Sequence, residues 1–497
     1  MSSAPSSPEL SPIPSEDGPI DRAFRPKKPV AAIFIHAGAG YHSVANERLH
    51  LQACSEAARV GMNFLRAGAS ATQAVEAAIR YLEDTEITNA GYGSNLNIDG
   101  IVECDATVVD HLGRSGACGA VPVPPNILVG QGAKEFAEEH GLTTIRNEFL
   151  VSRNAQDRYL RWSEDLRRAE AKRNARLSAH AGRYRSGDYR ASTPDDYDKA
   201  ADSLAQTPRR NHAAAVLTST WNEGQPDSPY RSSPEGSAAP SPATPTGSHS
   251  TSCGQFPYSS RSTLRHMRSQ PSAHDGSVLG DDGWDGMLDD AFDDNDPIHP
   301  PDVDDITDTV GAIAVDLQGR IAAGSSSGGI GMKHRGRLGP AALVGVGSAV
   351  IPSDPGDPLG TTVAAVTSGT GEHIATTLAS SRCAERLYKG TRRGPGGKDV
   401  PEEDEHAILE AFIIDDFMGH PGVSTQPSAG AIGVMAVKKD RDGCWFYFAH
   451  NTESFALASM SSLEKEPLCV MSRLGGGIGS AAGLKVAQGG RRVKMEW

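Results

Sequence analysis

Among 497 residues, 38% are hydrophobic and 6% aromatic, which is low for a protein of this length that is packed throughout. The 54 glycines and 32 prolines indicate the same, so part of the chain is expected to lack a packed core. The net charge of −14 argues against a general nucleic-acid-binding protein. Seven cysteines without paired spacing argue against a disulfide framework or a zinc site, and they favour a reducing, intracellular compartment.

The sequence predicts no signal peptide and no membrane segment. Residues 1–29 are rich in Ser and Pro and are expected to form a disordered tail, without the apolar core of a signal peptide. No stretch approaches 18 apolar residues, so no membrane span is expected. These features predict a protein of the cytoplasm, the nucleus or both, without a membrane partner.

The first ordered block is predicted at 30–164. The segment "VAAIFIHAGAG" is typical of a short buried strand that ends in a glycine-rich turn. A helix is predicted to follow from about Asn46. Its expected apolar face consists of Ala53, Ala57, Val60 and Phe64.

A second helix is predicted in "SATQAVEAAIRYLED", where Ser70 and Gln73 have the spacing of a capping box. Its expected apolar face consists of Ala74, Ala78 and Leu82. The next segment, "TNAGYGSNLNIDGIVECDATVVD", predicts a loop rich in Gly and Asn that leads into a hairpin around Asp99 and Gly100.

Residues 165–308 are predicted to form one long disordered insertion. The stretch "SPYRSSPEGSAAPSPATPTGSHSTS" is of low complexity and cannot form a core. Residues 281–308 contain 12 Asp and no Lys or Arg, whereas residues 153–190 carry a net charge of +6. The basic stretch 166–177 is either a solvated helix face or a nuclear-import signal.

Order is predicted to return at 309–497. "TVGAIAVDLQGRIAAGSS" predicts two strands joined by a turn at 317–320, and "GAIGVMAVKKDRDGCWFYFAHNTES" predicts another hairpin that turns at 440–443. Between them, "GTGEHIATTLASSRCAERLY" predicts a glycine-rich turn followed by one helix. The two ordered blocks are expected to pack as one layered α/β domain.

The pair Asp308 and Thr309 lies where the insertion ends and the first strand of the second block begins. If the chain is cut between them, Thr309 carries both a hydroxyl and a free α-amine. The amine, with an ordinary pKa near ~8, can act as the base for the hydroxyl of its own residue. Flexible chain before the pair would bend to present the Asp308 carbonyl for an N→O acyl shift. Thr309 is therefore the candidate nucleophile, and the bond before it is the candidate self-cleavage site.

Three further motifs offer supporting groups. "GSSSGG" returns hydroxyls beside the first strand, and Ser327 is the candidate to orient the hydroxyl of the nucleophile. "KHRGRLG" offers Arg337, whose guanidinium can bind a carboxylate bidentately. "TSGTGEH" offers the backbone N–H groups of Gly369, Thr370 and Gly371 for an oxyanion or another anion.

Together these segments resemble the type 2 asparaginase family of N-terminal nucleophile hydrolases, and above all its threonine aspartase (taspase) branch. The matching segments run in family order through both ordered blocks. They are "HAGAGYHS" (36–43), "LEDTEITNAGYGSNLN" (82–97), "ECDA" (103–106), "ILVGQGA" (127–133), "DTVGAIAVD" (308–316), "SSGG" (326–329), "KHRGRLGPAALVGVG" (333–347), "TSGTGEH" (367–373) and "HNTES" (450–454).

The resemblance implies an α/β fold, the four-layer αββα sandwich of the N-terminal nucleophile hydrolases, interrupted here by the disordered insertion. It implies an inactive precursor that cleaves itself into an α chain (1–308) and a β chain (309–497). The two chains are expected to stay associated, and two such αβ units are expected to form a dimer. No metal or cofactor is implied.

Carried over by position, the resemblance makes Thr309 the nucleophile and Ser327 its assisting hydroxyl. Asn89 lies in the loop that supports the oxyanion. Arg337 binds the carboxylate of an aspartate side chain, and the turn 369–371 lies in the substrate pocket. The implied partners are protein substrates with aspartate before the cut.

Pro340 bears on the choice of activity within the family. In small-molecule asparaginases an Asp three residues after the arginine binds the substrate α-amine, whereas this chain has proline there. That replacement favours an endopeptidase. The alternatives are an asparaginase or isoaspartyl peptidase, a glycosylasparaginase-like amidohydrolase, and a catalytically weak scaffold relative. Glycosylasparaginases also have Asp before Thr, but the predicted lack of a signal peptide argues against that branch.

The chain departs from the family pattern at two places. The basic residue that follows "HAGAGYHS" in the aspartases falls near Asn46, with Arg48 as the candidate replacement. A helix-containing segment is shortened to "PVPP" (122–125), through a deletion or a gene-model error. Within the insertion, Asp285 in "GWDGMLDD" resembles a site that such an enzyme cuts. Either the enzyme trims the α chain there, or the aspartates only keep this linker extended and soluble.

Overall fold

The computed structural model describes most of the two ordered blocks. The described residues are 29–114, 127–164, 166–168, 171, 309–426, 430–474 and 484–493. Three predicted segments lie outside the described residues. They are the predicted tail, nearly all of the predicted insertion with Asp308 and the Asp285 motif, and the shortened segment at 122–125. The predicted boundaries of tail, insertion and blocks therefore stay predictions.

The larger of two central antiparallel sheets contains strands from both sides of the insertion. In spatial order its six strands are β12 (Leu468–Arg473), β11 (Ser454–Ser461), β1 (Ala32–Gly40), β3 (Val310–Val315), β4 (Ile321–Ser327) and β2 (Asp105–Val109). Because β1 lies between β11 and β3, and β2 pairs with β4, the two ordered blocks share one hydrogen-bonded sheet.

The smaller sheet comes from the second block alone. In spatial order its five strands are β13 (Ala487–Val493), β10 (Cys444–His450), β9 (Ile432–Lys439), β6 (Thr362–Gly369) and β5 (Ser348–Ile351). A separate two-stranded ribbon joins β7 (Thr391–Arg393) to β8 (Asp399–Pro401). The two predicted hairpins, β3 with β4 and β9 with β10, are confirmed.

The helices come from both ordered blocks. In chain order they are α1 (Glu47–Arg66), α2 (Ala71–Glu83), α3 (Gly130–Glu139), an unlabelled helical segment at 153–164, α4 (Gly371–Thr377), α5 (Ala379–Lys389), α6 (Glu405–Ala411), a π-helix (Phe412–Met418) and α7 (Pro421–Ser424). Short 3₁₀ turns lie at Gly91–Gly93, Asn147–Phe149, Pro340–Ala342 and Pro395–Gly397. Within the described ranges, no helix combines the length and apolar character needed to cross a membrane.

Three hydrophobic cores separate the layers. Neighbouring residues of β1 serve different cores, because successive side chains of a strand point to opposite faces. Ile33 and Ile35 pack against α1 and α2, whereas Phe34 packs against the smaller sheet. The third core joins the smaller sheet to α5, α6 and the π-helix through residues such as Leu387 and Phe412. The described part of the chain is thus an α/β structure layered as helix, sheet, sheet and helix.

Helix α1 begins at Glu47 with Asn46 as its N-cap, as predicted, but its predicted apolar face is wrong in part. Phe64 is 45% exposed and Val60 is only half-buried. The buried face consists of His50, Ala53, Cys54, Ala57, Ala58, Gly61, Met62 and Leu65. Most of these side chains are small and let the helix approach the sheet closely, so the size of an apolar side chain does not reveal the buried face.

Helix α2 has the predicted capping box, in which the Ser70 hydroxyl accepts a hydrogen bond from the Gln73 backbone N–H and the Gln73 side chain reaches back to Ser70. Its predicted apolar face is also buried. The Asp316 carboxylate accepts a further hydrogen bond from Ala71 N, at 3.2 Å. This contact ties the start of α2 to the turn between β3 and β4.

Two other predictions are corrected. The predicted hairpin around Asp99 is only a turn with a single bridge, between Leu96 and Val102, because the Asn97 side chain holds the turn and the following strand pairs with β4 instead. The single helix predicted after the glycine-rich turn is two helices, α4 and α5. They are separated by Leu378, whose left-handed backbone (φ 50°) changes the chain direction.

Candidate active site

Thr309 is buried and lies immediately before β3. The register of the hairpin pairs Val310 with Ser326, so the next position outward brings Thr309 opposite Ser327. The Thr309 hydroxyl donates a hydrogen bond to the Ser327 hydroxyl at 3.1 Å. The strand pairing therefore brings together the two hydroxyl groups that the sequence singled out.

A glycine-rich loop follows Ser327 and is fixed by the asparagine loop before β2. Ser327 Oγ accepts a second hydrogen bond, from Gly329 N at 2.9 Å. Asn89 Nδ2 donates to Gly329 O at 2.8 Å, and Asn89 O accepts from Gly328 N at 2.7 Å. A Cβ on Gly328 would lie 2.5 Å from both Asn89 Oδ1 and Ser94 Cβ, so only glycine fits there. Asn89 thus supports the loop beside Thr309.

Lys333 is a buried cation under the same loop. Its ammonium donates a hydrogen bond to Gly328 O at 2.6 Å and another to Glu103 O. Burial lowers the pKa of Lys333, and the nearby carboxylate of Asp105 acts in the opposite direction. Lys333 therefore helps to hold the Gly328 carbonyl in place.

Arg337 lies on the other side of the loop. Its Nε and Nη2 both donate to Glu372 Oε1, at 3.1 and 2.8 Å. The Arg337 side chain is 15% exposed, whereas that of Glu372 is 61% exposed. A Cβ on Gly329 would lie 2.6 Å from Arg337 Nη1, so the guanidinium is adjacent to the residue that bonds Ser327. Arg337 and Thr309 therefore belong to one cluster of contacts.

Asp105 adds a carboxylate to this cluster. Its Oδ2 accepts a hydrogen bond from Gly339 N at 2.7 Å. Burial raises the pKa of Asp105, and the Gly339 N–H, Lys333 and Arg337 act against that rise. Asp105 thereby anchors the turn that follows Arg337.

The predicted substrate turn lies where β6 ends and α4 begins. Gly369 has a φ of 139°, and a Cβ there would collide with the carbonyl of Ala431, so glycine is required. Thr370 N donates to Ala431 O at 2.8 Å, and Thr370 Oγ1 accepts from Ala431 N at 3.2 Å. The Thr370 N–H is thus already used and is not available to an anion. Glu372, the residue after Gly371, connects this turn to Arg337 by accepting a hydrogen bond from its guanidinium.

His36 is a buried imidazole beside the start of β3. Burial lowers its pKa to about 3, although the backbone of Thr309 acts in the opposite direction. The side chain is therefore neutral near physiological pH. It places no positive charge next to Thr309.

The structure connects Thr309, Ser327, Asn89, Arg337 and the turn 369–371 through short contacts. Arg48, the candidate basic replacement, lies on the exposed side of α1 and takes no part in the contacts described above. Asp308 lies outside the described residues. The roles predicted for all these residues stay predictions.

Besides Asp105 and His36, four residues that contact this cluster had no predicted role. They are Asn95, Lys333, Glu372 and Arg158. Lys333 lies inside "KHRGRLG", Glu372 inside "TSGTGEH" and Asn95 inside "TNAGYGSNLN". Their position inside these motifs is the sequence feature that could have pointed to them. Their contacts depend on tertiary packing that spacing does not reveal.

Comparison with known proteins finds similarity to one family over part of the chain. A model of the type 2 asparaginase family, described as asparaginase, matches residues 29–123 and 280–410. Relatives named isoaspartyl peptidase/L-asparaginase include the Mus musculus protein, 36% identical over 137 residues, which are 24% of this chain and 42% of the relative. The Homo sapiens protein is 41% identical over 128 residues, or 22% and 41% of the two chains.

The Xenopus laevis protein of the same name is 34% identical over 152 residues, which are 27% of this chain and 48% of the relative. The chain thus spans less than half the length of these curated relatives. The family match covers segments on both sides of the predicted insertion and includes Thr309, Ser327 and Arg337. Over these two matched segments, which together make up less than half of the chain, the chain is similar to the type 2 asparaginase family.

Proposed function

We propose that this protein is a threonine-type endopeptidase that cleaves itself between Asp308 and Thr309 and then hydrolyses protein substrates after aspartate. The observation that carries the proposal is the 3.1 Å hydrogen bond from the Thr309 hydroxyl to Ser327 at the start of β3. A threonine in this place needs no separate His–Asp pair once its own amine is released.

Self-cleavage proceeds by an N→O acyl shift. Thr309 Oγ1 attacks the Asp308 carbonyl, the hydroxyl proton passes to the amide nitrogen as the C–N bond breaks, and an ester forms. Water then hydrolyses the ester, which leaves a carboxylate on Asp308 and a free amine on Thr309. Ser327 Oγ, held by the Gly329 N–H, accepts the hydrogen bond that orients the attacking hydroxyl.

The same groups perform turnover. The Thr309 amine takes the hydroxyl proton as the oxygen attacks the main-chain carbonyl of a substrate aspartate, and the proton then passes to the leaving amine of the next residue. Water hydrolyses the acyl-enzyme and restores the hydroxyl. Asn89 supports this step by fixing the loop that contains Gly328 and Gly329.

Arg337 supplies the preference for aspartate. A guanidinium binds a carboxylate through two parallel N–H groups, and here two such groups already bind the exposed carboxylate of Glu372. Exposed ion pairs are weak, at about 0–1 kcal/mol, so a substrate carboxylate can take the place of Glu372. Gly369, Thr370 and Gly371 form the adjoining wall of this pocket.

The two chains are proposed to stay associated after cleavage, and such αβ units to form a dimer. Support for the association comes from the larger sheet, in which β1 lies between β11 and β3 and β2 pairs with β4. A cut before Thr309 would leave these backbone hydrogen bonds intact. The protein is proposed to act in the cytoplasm, the nucleus or both.

The first alternative is an asparaginase or isoaspartyl peptidase, and the names of the relatives favour it. Against it stands Pro340, which is buried in a 3₁₀ turn and offers no carboxylate for a substrate α-amine. Incubation with free asparagine, with ammonia as the measured product, separates this alternative from a peptidase assayed on an aspartate-containing peptide. Ammonia release together with intact peptide would reject the proposal, and the same assay with glycosylated asparagine tests a glycosylasparaginase-like activity.

The second alternative is a scaffold relative with little activity. A denaturing gel of the purified protein distinguishes it directly. Two bands that are replaced by one in the Thr309→Ala variant are expected for the hydrolase. One band near full length for the natural protein would favour the scaffold.

A further inference from the structure

The helical segment at 153–164 contacts the loop that supports the proposed nucleophile, although it precedes that nucleophile by about 150 residues in the sequence. The predicted insertion follows this segment directly. Arg158 is its most deeply buried charged side chain among those described, at 3% exposed. A buried arginine is costly unless its donors are satisfied, so its partners are informative.

Arg158 binds the asparagine loop through two of its donors. Its Nε donates to Asn95 Oδ1 at 3.2 Å, and its Nη2 donates to Gly93 O at 3.0 Å. Asn95 Nδ2 in turn donates to Gly329 O at 3.1 Å, and Asn95 N donates to Asn89 Oδ1 at 2.9 Å. The amide of Asn95 is therefore placed between a cation and a carbonyl oxygen.

This placement fixes the orientation of the Asn95 amide. An amide side chain has an acceptor oxygen on one side and a donor nitrogen on the other, and the two can exchange by a half-turn. Because Arg158 can only donate, it requires the oxygen on its side and leaves the nitrogen for Gly329 O. Without the cation, the opposite orientation would set the oxygen of Asn95 against that of Gly329.

From Gly329 the contacts reach the nucleophile in two steps. Gly329 N donates to Ser327 Oγ at 2.9 Å, and Ser327 Oγ accepts the hydroxyl of Thr309 at 3.1 Å. A continuous path of hydrogen bonds thus runs from Arg158 through Asn95, Gly329 and Ser327 to Thr309.

Packing supports the same contact. A Cβ on Gly331 would collide with the ring of Trp162, which is itself buried, so the indole lies directly on the loop. The Tyr159 hydroxyl donates to Ile98 O at 3.3 Å, on the asparagine loop. The segment 153–164 therefore holds both loops, one by hydrogen bonds and the other by van der Waals contact.

We propose that Arg158 is a positioning residue for the reaction of Thr309, acting through the amide of Asn95 on the loop that orients Ser327. The inference rests on the proposed function of Thr309. It also implies that the end of the first ordered block must stay docked after self-cleavage, because the active arrangement depends on it.

The test compares Arg158→Met, which keeps the length and removes all donors, with Arg158→Lys, which keeps the charge but not the fork. The rate of self-cleavage and the kcat and KM for an aspartate peptide are measured on purified proteins whose folding is checked by thermal unfolding. We expect kcat to fall about tenfold or more in Arg158→Met and less in Arg158→Lys, with a smaller change in KM. Arg153→Gln is the matched control, because Arg153 is exposed on the same segment.

A double-mutant cycle separates positioning from general stability. If Arg158 acts through Asn95, the variant that combines Arg158→Met with Asn95→Ala will have the kcat of Asn95→Ala alone. Additive losses would overturn the inference, as would a natural kcat in Arg158→Met and Arg158→Lys. Thr309→Ala in the same series distinguishes a failure of the proposed function from a failure of the inference about Arg158. If that variant is still cut, the proposed function fails. If it is uncut while both Arg158 variants are fully active, only the inference fails.

Discussion

The two halves of the candidate site are held by different means. Thr309 and Ser327 are both buried and are placed by strand pairing, a feature of the backbone. Arg337 is placed by a side-chain ion pair with Glu372, whose carboxylate is 61% exposed. The proposed reacting half is thus placed by backbone pairing, whereas the proposed recognition half includes an ion pair with an exposed carboxylate, which we expect a substrate to replace. Changes in the first half are expected to alter the rate of the chemical step, and changes in the second to alter binding.

The largest effect is expected from Thr309→Ala. The variant loses the hydroxyl and, because no cut occurs, the released amine, so self-cleavage stops and peptidase activity falls by about 10⁴-fold or more. Thr309→Ser keeps both groups and is expected to retain partial activity. A denaturing gel and a peptide assay measure the two effects, and two chains in the alanine variant would reject Thr309 as the nucleophile.

Arg337→Lys probes the recognition half. A lysine offers a point charge without two parallel donors, so kcat/KM for an aspartate peptide is expected to fall. Complete loss of a partner for a buried carboxylate, as in Arg337→Ala, costs about 2–5 kcal/mol, or roughly 30-fold to several thousand-fold, and Arg337→Lys is expected to lose less because it keeps the charge. Arg335→Lys is the control, because Arg335 is 72% exposed and pairs with Asp99 instead. Turnover of Arg337→Lys equal to that of the control would show that another group binds the carboxylate.

Gly328→Ala tests whether the reacting half is as closely packed as the contacts indicate. The added Cβ would press on Asn89 and Ser94, and such overpacking costs about 1–3 kcal/mol. We expect a lower free energy of unfolding in chemical denaturation and slower self-cleavage. Gly132→Ala is the control, because a Cβ there meets nothing within 4 Å and lies in α3. Equal unfolding free energies for the two variants would mean that the loop rearranges to accommodate the added methyl group at little energetic cost.

What the sequence could predict follows the same division between local and distant contacts. The hairpin register that joins Thr309 to Ser327 and the capping box of Ser70 were predictable, because each depends on a short stretch of chain. The pairing of Arg337 with Glu372 spans 35 residues, and that of Arg158 with Asn95 spans 63. Contacts of this kind arise from packing of separate elements, and no periodicity or spacing encodes them. The buried face of α1 was missed for a related reason, since its fit to the sheet depends on small side chains.

The smallest effect is expected from Glu372→Gln, and it is the most direct test of the replaceable contact. Glutamine keeps the size and one acceptor oxygen but removes the negative charge that competes with a substrate carboxylate for Arg337. Since a partly exposed pair contributes about 0–1 kcal/mol, KM for an aspartate peptide is expected to fall by at most about fivefold, with little change in kcat. High salt weakens exposed ion pairs, so the difference from the natural protein should shrink as salt is added. Glu385→Gln is the control, because Glu385 forms an exposed ion pair with Arg382 on α5. A higher KM in Glu372→Gln would mean that Glu372 holds the guanidinium in the orientation that binds substrate, and the recognition half would then be as firmly prepared as the reacting half.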